Sequence, residues 1–143
     1  MNGWLAGRKA VVPIDFGDQT EYAIDSVVEI MGDTSQIIAL YVAPDLNIVE
    51  PGIAWGEITD ESREAELRRS FADQFSDSKY AGIRFEVAFG DAGHGIAEFA
   101  EREGAGLIVM PSHGRTGLQH LVIGSVAERV VRYAHCPVLV LRR

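Results

Sequence analysis

The sequence predicts an α/β fold: a single doubly wound domain whose five-stranded, mainly parallel sheet carries helices on both faces, in the strand order 3-2-1-4-5. Three observations lead to the fold class, and the strand order takes strand one as central with strand four beside it. Short apolar runs alternate with longer amphipathic stretches along the whole chain. Two of those runs, Ala10-Val11-Val12-Pro13-Ile14 and Leu107-Ile108-Val109-Met110, are apolar throughout, as strands covered on both faces are. A glycine-rich connection leaves the second run and opens into a helical pattern. The 143 residues, 47% of them apolar, suffice for one ordinary core and are too few for two full domains, so residues 1–143 are expected to form one.

The first strand, Ala10 to Ile14, stops at Asp15, where polar residues and glycine begin. From about Asp18 to Met31, Tyr22, Ala23, Val27, Ile30 and Met31 recur at helical spacing, and Gly32 follows as a C-terminal stop. Gln36 to Val42 is the second strand. The charged stretch Asp60 to Ser76 carries Ala65, Leu67, Phe71, Ala72 and Phe75 at the spacing of a second helix. Ile83 to Phe89 alternates apolar and polar residues with strand period. Ile96, Phe99 and Ala100 mark a third helix ending near Gly104, its first turn weakened by Gly93 and Gly95. After the Leu107 strand, Val126, Val130, Val131 and Ala134 define a fourth helix, and Val138-Leu139-Val140-Leu141 is the last strand.

Charge and composition exclude several functions. With 13 basic against 21 acidic residues the net charge is −8, which repels nucleic acid and anionic membrane surfaces. No apolar run approaches the roughly 20 residues that cross a bilayer, and Met1 to Ala6 lacks the charged and apolar regions of a signal peptide, so a cytoplasmic protein is expected. The lone Cys136 excludes an intrachain disulfide and a cysteine metal cluster, and its place beside Pro137 suits packing. No spacing among the four histidines suggests a metal site. Ser112 and His113, adjacent in an extended segment, are expected to point opposite ways, which argues against nucleophilic catalysis.

In a doubly wound sheet ligands bind beyond the carboxyl ends of the strands, where the strand order reverses. With strand one central and strand four beside it, that point brings together Asp15, the backbone around Tyr41 to Ala43, and the segment Ser112-His113-Gly114-Arg115-Thr116-Gly117 with Gly124-Ser125. Glycine amides and the positive end of the following helix make a cradle for phosphate. Each residue also has a structural rival role. Asp15 suits a turn or helix cap, Ser125 with Glu128 reads as a capping box, and Gly114, Gly117 and Gly124 suit tight turns.

Val12-Pro13-Ile14-Asp15, Leu40-Tyr41-Val42, Gly90-Asp91 and the segment from Ser112 to Val138 together resemble the universal stress protein family over nearly the whole chain. Nucleotide-binding members of that family carry a glycine, two residues, a glycine, nine residues, then glycine with serine or threonine. Here Gly114 and Gly124-Ser125 keep the second and third positions, whereas Pro111 holds the first. The resemblance implies an adenine nucleotide, ATP foremost, with magnesium, bound by Pro13, Ile14, Asp15, Val42, Met110, Ser112, His113, Gly114, Arg115, Gly117, Gly124, Ser125 and Val126. It implies a homodimer through Val138 to Leu141 and signalling through that dimer or a protein partner. Proline removes one amide and fixes φ, a loss of about tenfold in affinity at most for one neutral hydrogen bond. The alternative implied by Pro111 is a nucleotide-free adaptor acting by protein contact. No catalytic residue is expected, because the chain shows no phosphate-clamping lysine of the P-loop kind, so any ATP hydrolysis would be slow. A pyrophosphatase-type ligase is disfavoured by Asp15-Phe16-Gly17-Asp18, where such enzymes carry a Ser-Gly-Gly turn. The loop from Ala43 to Thr59, with Ile48, Val49, Ile53 and Trp55, is expected to serve as a lid or contact surface.

Overall fold

A computed structural model describes residues 3–45, 58–113 and 123–142. The expected sheet is present. β1 (Ala10–Pro13), β2 (Ile37–Ala43), β3 (Arg84–Phe89), β4 (Leu107–Pro111) and β5 (Val138–Leu141) lie in the order β3-β2-β1-β4-β5 and are parallel throughout. The helices are α1 (Thr20–Met31), α2 (Asp60–Gln74), α3 (Ala92–Arg102) and α4 (Ser125–Tyr133).

Side-chain alternation along the strands divides the core in two. One half joins Ala10, Val12, Leu107 and Val109 to Ala23, Ile24 and Val27 of α1 and to Phe71 of α2. The other joins Val11, Ile38, Leu40, Ile108 and Met110 to Ile96, Phe99 and Ala100 of α3 and Ala127 and Val130 of α4. All four residues of β1 are buried, which is why that run needed no polar alternation. No helix among the described residues is long and apolar enough to cross a membrane.

Three details differ from the sequence reading, each for a local reason. Helix α1 begins at Thr20 instead of near Asp18, because Asp15 first folds the chain into a turn: its Oδ1 accepts from the Gly17 amide at 2.8 Å. The inward stripe of α2 is the half-buried Leu67 and the buried Phe71, continued by Phe75 at its C-cap, four residues apart, while Ala65 and Ala72 are exposed. Large side chains win that contact: Phe71 stacks on Phe85 with ring centroids 4.7 Å apart, which small alanines would not reach. The α2 start carries a reciprocal capping box, Thr59 with Ser62, in which each side chain accepts from the other's amide at 3.0 Å.

The glycines of α3, read as weak points, are packing positions. A Cβ on Gly93 would lie 2.9 Å from Cβ of Arg129 on α4, and one on Gly95 would lie 3.2 Å from Cγ1 of Val42 on β2. Helix α3 therefore sits close against both α4 and the end of β2, at the carboxyl edge of the sheet. The Gly32 stop is as expected, with φ +71° and its amide bonded to the Val28 carbonyl at 2.9 Å.

Candidate nucleotide-binding cleft

The crevice forms where β1 ends and its neighbours continue. The last pair between β1 and β2 is Pro13 with Leu40, and the Ile14 amide then donates to the Leu40 carbonyl at 2.9 Å. Backbone groups alternate sides along a strand, so Val42, two residues on, turns its N–H and C=O the same way, past the end of β1. On the other side, Ile108 donates to the Pro137 carbonyl just before β5 at 3.0 Å and Ser112 to the Leu141 carbonyl of β5 at 2.8 Å, so position 111 faces β1, which pairs with β4 only through Ala10 and Val11. The missing amide of Pro111 thus leaves no gap in the sheet. It falls in the crevice.

A cleft of about 410 Å³ occupies this place, within the range of small-molecule sites. Of the expected residues, Pro13, Ile14, Asp15, Val42, Met110, Ser112, His113, Gly124, Ser125 and Val126 line it. Gly114, Arg115 and Gly117 lie outside the described residues, as does most of the Ala43 to Thr59 loop. Tyr41, whose backbone the sequence reading placed at this edge, lines it too; that reading missed Thr20, Leu40, Ala92, Ile96 and Ala127 as wall residues, and Pro111 joins them. Ile96 and Ala127 were visible only as apolar helix positions, which serve a core and a cleft wall alike.

The polar groups are few and held. Asp15 turns Oδ1 to the Gly17 amide and lies 3.4 Å from the hydroxyl of Thr20, a residue only 2% exposed, so its capping role is real. Phe16, next in the turn, takes a left-handed φ of +59° and packs against Tyr41 with centroids 5.6 Å apart. Few bulky residues adopt that conformation without surroundings that impose it.

The capping box expected of Ser125 and Glu128 is absent. Helix α4 starts at Ser125, so the cap position falls to Gly124, and no side chain among the described residues caps the helix. Glu128 pairs with Arg132 instead. The first helical bond runs from the Glu128 amide to the Gly124 carbonyl at 2.9 Å, which leaves the amides of Ser125, Val126 and Ala127 without an intrahelical partner beside the cleft. Gly124 is required by the chain itself: a Cβ there would lie 2.8 Å from the Ser112 carbonyl oxygen, to which the Gly124 amide donates.

Ser112 and His113 also differ from expectation. The chain bends as β4 ends, so the two side chains meet, Ser112 Oγ lying 3.1 Å from His113 Nδ1. Beyond them, Asp91 caps α3 through the His94 amide at 3.0 Å and pairs with Arg129 of α4. The Arg129 guanidinium, then that amide, hold its carboxyl below the usual carboxylate range. Cys136 packs against the second core half, and burial pushes its thiol up, away from the reactive thiolate.

The universal stress protein family model matches residues 7–142. The chain belongs to that family. Universal stress protein MJ0531 of Methanocaldococcus jannaschii is 33% identical over 99% of this chain and 86% of its own length. The solved structure of the hypothetical protein MJ0577 is 27% identical, with a TM-score of 0.75 over 95% of this chain and 96% of that one. A universal stress protein family structure from Arabidopsis thaliana with AMP bound shares the fold at 17% identity, with a TM-score of 0.62 over 94% of this chain and 92% of that one.

Proposed function

We propose that the chain binds an adenine nucleotide, ATP foremost and with magnesium, in this cleft, and that it acts as a stress-response or regulatory module in the cytoplasm. The observation that carries the reading is one crevice flanked by three complementary features: the outward backbone edge of Val42, the carboxylate of Asp15, and three amides at the start of α4 that have no intrahelical partner. A backbone N–H and C=O side by side match the donor and acceptor edge of adenine. Asp15 suits ribose hydroxyls, and the α4 amides suit phosphate. Magnesium would offset triphosphate charge that a chain of net charge −8 repels. The AMP held by the Arabidopsis thaliana family structure supports the ligand class.

Output passes through protein contact in this reading. Edge strand β5 carries the exposed Leu139, and α4 exposes Val131 and Tyr133, a surface suited to a second copy of the chain or a partner. The nucleotide-free adaptor reading rests on Pro111, which supplies no amide where position 111 faces the crevice. Absorbance and mass spectrometry of small molecules released from freshly purified protein, followed by titration of Asp15→Ala beside the wild type, separate the two. Adenine nucleotide in the released fraction and weakened binding by Asp15→Ala support the sensor. No nucleotide and no titration signal support the adaptor.

A further inference from the structure

The sheet has two edges, and they are unlike. β5 forms one of them with Val138-Leu139-Val140-Leu141, an apolar strand on which Leu139 is exposed. β3 forms the other. There the Gly90 amide donates to the Ala43 carbonyl at 2.8 Å, so the even-numbered positions of β3 face β2, and Phe85, Val87 and Phe89 turn their N–H and C=O groups outward. Such a row is a template for another strand. Helix α2 takes up part of it: Arg68 Nη1 donates to the Phe85 carbonyl at 2.6 Å, and the guanidinium carbon lies 5.7 Å from the centre of the Phe85 ring. Phe85 belongs to the core half under α2, and alternation turns Glu86 to the opposite face. Arg68 Nη2 nevertheless lies 3.7 Å from Glu86 Oε2 as well as 2.8 Å from Glu64, so this one side chain crosses the edge from one face of the sheet to the other. Ion pairs continue from Glu86 to Arg84 at 3.1 Å, from Arg84 to Glu103 at 2.9 Å, and from Glu103 to Lys9 at 3.4 Å, just ahead of β1. Exposed pairs of this kind add little to stability. Their placement along one edge of the sheet calls for another reason.

We propose that Arg68 closes the β3 edge to strand addition by a second copy of the chain. Every other copy offers a strand that could add there, since β5 is apolar, uncharged and at the opposite edge. Pairing β3 of one copy with β5 of the next is head-to-tail: it uses different surfaces on the two partners and repeats from copy to copy instead of stopping at two. An incoming strand has to bond the outward Phe85 carbonyl where the Arg68 guanidinium lies. It would displace a charge-assisted hydrogen bond and the contacts to two carboxylates. This role is independent of the cleft and of any nucleotide.

The test is sedimentation velocity of the full chain, without nucleotide, over a wide range of concentration. Arg68→Met keeps an apolar stem against Phe85 and removes the donors and the charge, and Arg68→Ala removes the stem too. Both are expected to form species larger than any in the wild type, with a weight-average mass about twofold or more above it at the highest concentration. The growth reverses on dilution and leaves the wild-type circular dichroism intact. Val87→Pro, introduced together with Arg68→Met, removes an outward amide, spares the pairing with β2, and returns the mass to the wild-type value. Hydrogen exchange reads the same point without the proline: in the Arg68→Met assembly the Val87 amide is expected to slow. Growth that persists with Val87→Pro, growth that comes only with loss of the circular dichroism signal, or no growth in either Arg68 variant overturns the inference.

Discussion

Replacing Gly124 by alanine separates the glycine's service to the fold from its service to a ligand. Its φ of −75° is open to any residue, so alanine carries no backbone penalty there, and the effect is steric. The new Cβ would sit 2.8 Å from the Ser112 carbonyl oxygen and 3.4 Å from the Ser112 neighbour's Cα, both backbone atoms at the end of β4. Relief requires β4 and α4 to part, which strains or breaks the Gly124 amide bond to that carbonyl. Overpacking of this kind costs about 1–3 kcal/mol. For a domain of this size that lowers Tm by about 3 to 10 °C. Thermal unfolding followed by circular dichroism, without ligand, reads the effect directly. An unchanged Tm together with lost nucleotide binding would refute the reasoning, because glycine would then be needed by the ligand alone.

Further outcomes follow from the same structure. Restoring glycine at Pro111 returns an amide to the crevice and should tighten MgATP binding by up to about tenfold in calorimetry, and an unchanged affinity would mean the amide is not used. Phe71→Ala, which removes a buried ring stacked on Phe85, should cost about 3–5 kcal/mol in urea unfolding, and a loss below 1 kcal/mol would mean α2 is held by other contacts. The depressed Asp91 carboxyl means that the unfolded chain takes up the proton first as pH falls. Its contribution is therefore present above the ordinary carboxylate range near about pH 4 and lost below it. Asp91→Asn should flatten the acid limb of the stability curve, and an identical limb would contradict the ion pair with Arg129. Leu139→Lys on edge strand β5 should yield monomers in analytical ultracentrifugation if β5 joins two copies, while an unaltered oligomer places the interface elsewhere.

The architecture was legible because strand and helix periods differ and β1 and β4 are apolar throughout, so the element sequence and the two-sided layering followed from pattern, while the strand order rested on taking strand one as central. The place of the cleft was legible as well, since Asp15 follows the end of β1, Val42 is the penultimate residue of β2 and Gly124 directly precedes α4. What escaped was set by contacts between distant segments. Gly93 and Gly95 look like helix defects until Arg129 and Val42 are seen against them. Ser125 and Glu128 have the spacing of a capping box, but the cap position goes to Gly124, tied to Ser112. Extended geometry separates Ser112 from His113 on paper, whereas the bend after β4 joins them. Thr20 gave no chemical signal, as its place in the wall is set by the turn in which its hydroxyl meets Asp15.

The central claim is that this cleft holds an adenine nucleotide, and calorimetric titration of nucleotide-stripped wild-type protein with MgATP tests it most directly. The account predicts saturable binding at one site per chain, with a dissociation constant at or below the millimolar range. No heat of binding at several millimolar MgATP, with AMP and adenosine equally silent, would contradict it and leave protein contact through β5 and α4 as the basis of function.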